Sequence, residues 1–339
     1  MKTVSFKSIK LLIAVCLLCG ANAKAQDVHF SQFFEAPLYR NPALAGLVNA
    51  DVRVQTVYRS QWNSVSNGYK TASLNAEYKM PVVNDDYMTL GMQVLYDRAG
   101  SIGLKTNQVL PALNYHKSLS EDRNAYLSVG FMGGIVQRSI DRSQMKTTNS
   151  YTNGTDGETT LLPNYHYFDG SAGVSYNTQI GQNESNNLVL GVAYHHFNKP
   201  KNSFYSDDNI TVQPKWTFSA DVKLAVNESA FVTIYNDHTR QGAYSELLSG
   251  LLYGLNIGPY IDNPEHTLQA GAFLRWGDAV IPVIQMDYRP FTVSLSYDVN
   301  ISRLSTSSYG RGGFELSLKY SGFLNRESST AGSLRCPRF

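Results

Sequence analysis

Along most of the chain, apolar and polar residues alternate one by one. Residues 216–226 put Trp216, Phe218, Ala220, Val222, Leu224 and Val226 on one face and Thr217, Ser219, Asp221, Lys223 and Ala225 on the other. The same period-two pattern runs through 71–79, 291–299 and 314–321. Such alternation gives a strand one apolar face and one wet face. Strand length then separates the classes. Sandwich strands average about 5–6 residues, whereas a strand that crosses a bilayer needs about 9–11. Fourteen segments qualify: 51–60, 69–80, 86–97, 103–117, 124–138, 167–179, 187–198, 214–226, 229–239, 243–256, 266–276, 279–289, 290–301 and 312–323. The segments at 229–239 and 243–256 fit least well, because Phe231 and Tyr235 fall out of phase with Val232 and Ile234. An even number of strands is what a bacterial outer-membrane barrel requires. The expected fold is therefore an all-β, antiparallel transmembrane barrel of about 14 strands.

The connections support this reading. With the chain's start on the periplasmic side, the odd connections face outward, and these include the long polar stretches 139–166 and 199–213, and 302–311. Most even connections are short; 257–265 is the exception. Long outer loops and short periplasmic turns are a barrel property that a soluble sandwich does not share. Tyr58, Tyr69, Tyr78, Tyr87, Tyr96, Tyr126, Tyr194, Trp276, Tyr288, Tyr297 and Tyr320 cluster near strand ends, as interfacial girdles would. On the polar phase lie Glu77, Lys79, Asp221, Lys223, Arg275, Asp287, Asp298, Glu315 and Lys319. A charge facing lipid at midplane costs about 2–4 kcal/mol, so these should face the lumen. There they would form a cross-strand salt-bridge network or line a pore.

Composition narrows the field. Charged residues make up 17% of the 339 residues and the formal charge is +2, which leaves no basic field to hold nucleic acid. After residue 25 no apolar run approaches the length of a spanning helix. Lys2, Lys7 and Lys10 precede the short apolar run 11–19, and the small residues Ala21, Ala23 and Ala25 follow. This reads as a secretory signal peptide over 1–25, cleaved after Ala25. Its removal takes away four lysines and no acid, so the mature charge becomes −2. One thiol, Cys336, then remains, and no internal disulfide can form. The expected address is the outer membrane.

Residues 26–50 break the strand pattern. Pro37 and Pro42 oppose both helix and ladder, and Gly46 permits a tight bend. Phe30, Phe33, Phe34 and Tyr39 sit there without alternation and need burial, in the lumen or at its periplasmic mouth. The expected organisation is a signal peptide (1–25), a plug-like segment (26–50), a barrel (51–323) and a tail (324–339).

The start Gln26-Asp27-Val28-His29-Phe30-Ser31-Gln32, then Pro37, Tyr39 and Asn41-Pro42-Ala43-Leu44-Ala45-Gly46, resembles the PorP/SprF proteins of the Bacteroidetes type IX secretion system. The end of the first strand, Tyr58-Arg59-Ser60-Gln61-Trp62, and the C-terminus Arg335-Cys336-Pro337-Arg338-Phe339 are similar to that family too. The resemblance implies a non-enzymatic outer-membrane barrel without a cofactor. It implies partners among secreted adhesins, including gliding adhesins with C-terminal domains of the second type, and among the periplasmic ring components. His29, Phe30, Ser31, Gln32, Pro37, Tyr39, Asn41, Pro42, Gly46, Tyr58, Arg59, Gln61 and Trp62 are the motif residues expected to plug or dock.

Chemical signals are weak beside this. The seven histidines are scattered, and no His-Glu-x-x-His, Cys-x-x-Cys or phosphate-cradling loop occurs. His195 and His196 are neighbours, but on a strand their rings point to opposite faces, one to the lumen and one outward. Asp207-Asp208 and the Asp156–Glu158 cluster read as solvated loop charges rather than a calcium site. Two functions remain in competition: a binding and anchoring barrel for secretion, and a passive porin or channel for hydrophobic substrates. A rim hydrolase would need a constellation that the sequence does not display.

Overall fold

A computed structural model describes residues 27–61, 68–120, 122–154, 157, 161–207, 209–258, 264–302 and 311–324. The signal-peptide reading, Trp62, Asp156, Glu158, Asp208 and the C-terminal residues with Cys336 lie outside these residues. Fourteen strands follow one another: β1 (Val52–Gln61), β2 (Tyr69–Pro81), β3 (Tyr87–Ala99), β4 (Leu104–Ser120), β5 (Ala125–Ser139), β6 (Asn164–Gln179), β7 (Asn187–His195), β8 (Lys215–Ala225), β9 (Ala230–Gln241), β10 (Tyr244–Ile257), β11 (His266–Arg275), β12 (Ala279–Tyr288), β13 (Phe291–Asn300) and β14 (Arg311–Gly322). Each pairs antiparallel with its neighbours, and β1 closes on β14 from Val52–Gly322 to Gln61–Gly313. Closure leaves no edge to aggregate or to meet lipid unpaired.

The faces are inverted relative to a soluble protein. On β14 the apolar phase Phe314, Leu316, Leu318 and Tyr320 is exposed, while Glu315 and Ser317 are buried at 0% and 1%. The lipid side of the wall is therefore apolar and the inside polar, as a bilayer demands. Glu77, Lys79, Asp221, Arg275, Asp298 and Glu315 are all buried inward. Lys223, Asp287 and Lys319 share that phase and are half-buried.

Apolar residues also enter the inner face, most densely in one sector. Phe231 on β9, Leu248 and Leu252 on β10, Phe273 on β11, and Ile281 and Val283 on β12 are apolar and buried inward. This explains the phase break in the sequence: at β9 both faces are apolar, because Phe231 and Tyr235 look into the lumen and Ile234 looks outward. Tyr87 and Tyr126 are likewise buried, Tyr87 stacking on His116 with ring centroids 3.9 Å apart, so they do not belong to a girdle. Tyr58, Tyr69, Tyr96, Trp276, Tyr288, Tyr297 and Tyr320 are exposed on the wall.

The two ends differ. One carries the long connections 140–163 and 196–214, the first with a short helix α1 (Thr148–Asn153); the other carries short turns such as 82–86 and 226–229. Three strand limits move by three residues from the sequence expectation. β4 runs on to Ser120 rather than 117. β6 starts at Asn164 rather than 167. β7 stops at His195 rather than 198, because His196 turns the chain with φ +56°.

Candidate functional site: a filled lumen

The segment before β1 occupies the barrel. Residues 30–33, 35–38 and 40–47 are buried, although only short helical turns form: Phe33–Glu35, a single α-helical turn at Pro37–Arg40, and Pro42–Leu44. Pro37 and Pro42 each open a turn, where a missing N–H costs nothing. Asn41 caps the second, its Oδ1 accepting from Ala43 N at 2.8 Å. Among the described residues, each of the four apolar clusters contains residues of this segment: Phe33 with Phe273 and Ile281, Leu38 with Leu110 and Val136, Phe30 with Val57 and Leu95, and Leu44 with Val189.

The segment runs the length of the lumen. Asp27, its first described residue, lies at the long-loop end, where its carboxylate meets Lys215 Nζ at 2.9 Å and His196 Nε2 at 2.8 Å. Gly46 lies at the other end, donating from N to Glu77 Oε2 at 2.8 Å, and Lys79 donates to Val48 O at 2.6 Å. Asp27 is therefore on the long-loop side, opposite to the first residue of β1. That corrects the sequence expectation, which put it with the short turns. The reason is length: about 20 residues must be buried, and only the full depth of the lumen holds them.

Polar contacts fix the path. Near the long-loop end, Ser31 N and Gln32 N donate to Glu315 Oε1 and Oε2, each at 2.7 Å. Ser31 Oγ donates to Asp298 Oδ1 at 2.6 Å and accepts from Arg59 and Arg275 at 2.7 and 2.5 Å. Arg59 itself pairs with Glu315 and with Asp298 (2.9 Å), and its Nη2 lies 3.4 Å from His29 Nε2. Halfway down, Arg40 donates from Nη1 and Nη2 to both oxygens of Asp221, each at 2.6 Å. Its Nε donates to both oxygens of Asp237 at 2.8 and 2.7 Å, and Nη2 adds a further bond to Asp237. Glu35 accepts from Gln55 at 2.8 Å and meets Lys319 at 3.1 Å. Buried charges of this kind persist because each has a partner and filled hydrogen bonds.

Glycine makes room for the segment at Gly46 and Gly173, among other positions. Gly46 has φ +79°, and a Cβ there would stand 2.0 Å from Thr89 Oγ1. At Gly173 on β6 a Cβ would stand 1.9 Å from Asn41 Oδ1, so the strand gives the segment room to pass.

The structure brings together His29, Phe30, Ser31, Gln32, Pro37, Tyr39, Asn41, Pro42, Gly46 and Arg59 in the lumen. Gln61, half-buried, accepts from Arg59 Nε at 3.3 Å. Tyr58 is not among them; it is exposed on the outer wall, one residue out of phase with Arg59. Sequence reasoning missed Arg40 and Glu35. The signal was available: two charges inside an otherwise apolar segment, with unpaired acids and a lysine on the inner phase of distant strands.

His195 and His196 are both buried, their ring centroids 6.3 Å apart, which overturns the expectation of opposite faces. The alternation ends because His196 lies beyond the strand. Its Nδ1 meets Asp169 at 2.8 Å and its Nε2 meets Asp27. Burial opposes the charged ring, but the carboxylates of Asp27 and Asp169 outweigh it and push His196 up to about 9. Among the described residues, no group of three metal-ligating side chains gathers.

A cavity of about 60 Å³ lies beside Asp27 and Tyr39, between them and β8 to β10. A larger one of about 470 Å³ lies at the long-loop end between the start of β6 and the loop 196–214, lined by Tyr165, Tyr167, Asn198, Lys201 and Asp207 among others.

A closed fourteen-strand wall, apolar outward and polar inward, with its lumen filled by the chain's own leading segment, defines an outer-membrane β-barrel. The family model described as "Type IX secretion system membrane protein PorP/SprF" matches residues 22–320, and the chain belongs to that family. Solved barrels share the fold. The Ralstonia pickettii toluene transporter TbuX is 10% identical with a TM-score of 0.51, over 86% of this chain and 94% of that one. The P. putida toluene transporter TodX is also 10% identical, with a TM-score of 0.50, over 86% of this chain and 95% of that one. No curated protein matches the chain.

Proposed function

We propose that this barrel serves the type IX secretion system as a binding and anchoring platform, not as a conduit or an enzyme. The observation that carries the reading is the filled lumen. Residues 30–47 are tied by ion pairs and apolar clusters to strands on every side, so the exchange surfaces are the two mouths. With the long loops outward, 140–163 and 196–214 contact the C-terminal domain of a secreted adhesin, and the 470 Å³ groove between the start of β6 and the second of these loops offers aromatic and charged groups for that contact. The short turns on the other side contact ring components. Of the leading segment, only Val48 and Asn49 near the short-turn end are accessible to such a partner.

The second reading is a channel for hydrophobic substrates, in line with what the fold neighbours TbuX and TodX are called. A packed lumen opposes it. The test is affinity purification from outer membranes of the intact protein and of a variant whose loop 142–160 is replaced by a short Gly-Ser link. A secreted partner recovered with the intact protein and lost with the variant supports the platform. Recovery of the same proteins by both, together with measurable single-channel conductance of the intact barrel in planar bilayers, sinks it.

A further inference from the structure

We infer that the long-loop rim of β2, β3 and β4 binds the phosphate groups of an anionic lipid headgroup in the surrounding leaflet, through Lys70, Arg98 and Lys105. The strand register places these three side by side. Lys70 on β2 is directly opposite Arg98 on β3, and Arg98 is directly opposite Lys105 on β4. All three are exposed, and all three lie on the lipid-facing phase that carries Leu74, Tyr96 and Val109 lower down the same strands. Directly opposite side chains on neighbouring strands have Cβ atoms about 4.5–5.5 Å apart, so the three cations fit within the span of one phosphorylated headgroup.

Like charges in opposite register destabilise a sheet unless an anion sits between them. The protein supplies little of that anion. On the outward phase of β2, β3 and β4 no carboxylate occurs among the described residues. Asp141 in the first long loop interacts with Lys105, but its oxygens also accept from Ser143 and Gln144. Several cations elsewhere are paired within the protein. Arg40, Arg53, Arg59 and Arg275 inside the lumen are each paired with a carboxylate, and Lys117 at the short-turn end is paired with Asp86 at 3.0 Å.

The depth fits as well. The next outward level below the row holds Ala72, Tyr96 and Asn107, and the level below that is Leu74, Val94 and Val109. A cationic row above an interfacial tyrosine and an apolar band is where lipid phosphates lie. Lys and Arg stems also reach upward from such positions to the headgroup plane. The inference is independent of the partner at the mouths.

The test is thermal unfolding of the detergent-purified full-length protein, read by heat-modifiable gel migration. Saturating diphosphoryl lipid A is expected to raise the unfolding temperature by roughly 5 °C, and its dephosphorylated form to leave it unchanged. The variant K70Q/R98Q/K105Q should lose most of the shift, and R98Q alone a clear part of it. R240Q removes an outward cation of β9, away from the row, and should keep the full shift. An undiminished shift in the triple variant overturns the proposal, as does an equal shift with dephosphorylated lipid. Inorganic phosphate that reproduces the whole shift overturns the lipid headgroup in favour of a bare anion.

Discussion

At mid-depth in the lumen a single guanidinium, that of Arg40, faces the two carboxylates of Asp221 and Asp237. Arg40→Met leaves both acids buried with no cation, which costs about 3–5 kcal/mol. The variant should therefore unfold at a clearly lower temperature in heat-modifiable gels. R40M/D221N/D237N should recover a large part of the loss, because no unpaired charge remains. His196 sets a pH dependence of defined sign. Its folded value, about 9, is above the roughly 6.5 of an unfolded histidine. The tether of Asp27 to His196 thus stabilises fully below about pH 6.5 and is lost as pH rises through about 9. Hydrogen exchange of residues 27–32 should speed up, beyond the intrinsic rate, between pH 6 and about pH 10. In His196→Gln that excess should vanish. Gly46→Ala should also lower stability, since the new Cβ meets Thr89 in a left-handed backbone.

At the scale of the element, the alternation of β14 separates two kinds of damage. Leu316 and Leu318 are exposed to lipid, so Leu316→Arg or Leu318→Arg costs about 2–4 kcal/mol at midplane and should block membrane assembly. Ser317 is buried on the inner phase and its hydroxyl has no hydrogen-bond partner among the described residues. Ser317→Ala should assemble as the parent does, measured by the heat-modifiable fraction in outer-membrane extracts. Equal assembly of all three variants would overturn the assignment of faces. The same comparison explains β9 to β12, where alternation is blurred. Phe33 and Phe34 pack on Tyr235 and Phe273, with the Phe34 ring stacked on Phe273 at 5.4 Å between centroids, so the inner face there had to be apolar. Nothing within β9 itself announces that partner, two hundred residues away in sequence.

At the scale of the whole molecule, the leading segment is a core element rather than an appendage. It contacts the closing pair directly: Ser31 and Gln32 bind Glu315 on β14, and Gln55 on β1 binds Glu35. Deleting residues 27–45 strips partners from Asp221, Asp237, Glu315 and Lys319 and empties the apolar clusters. The expected outcome is an assembled barrel of lower unfolding temperature that conducts in planar bilayers where the intact protein does not. Unchanged low conductance after deletion would show that the segment does not seal the lumen.

What the sequence determined by itself is local and periodic. The period of two, the strand lengths and the parity of loop lengths are enough for a fourteen-strand barrel, because a bilayer permits few arrangements of alternating strands. The motif at residues 26–46 was likewise enough for the family. Only the tertiary structure decided how the inside is filled. The direction of the leading segment, the pairing of Arg40 with Asp221 and Asp237, the shared burial of His195 and His196, and the row of Lys70, Arg98 and Lys105 all depend on register across strands far apart in the chain. No local pattern encodes such pairings, since each residue's partner is chosen by where closure of the barrel places it.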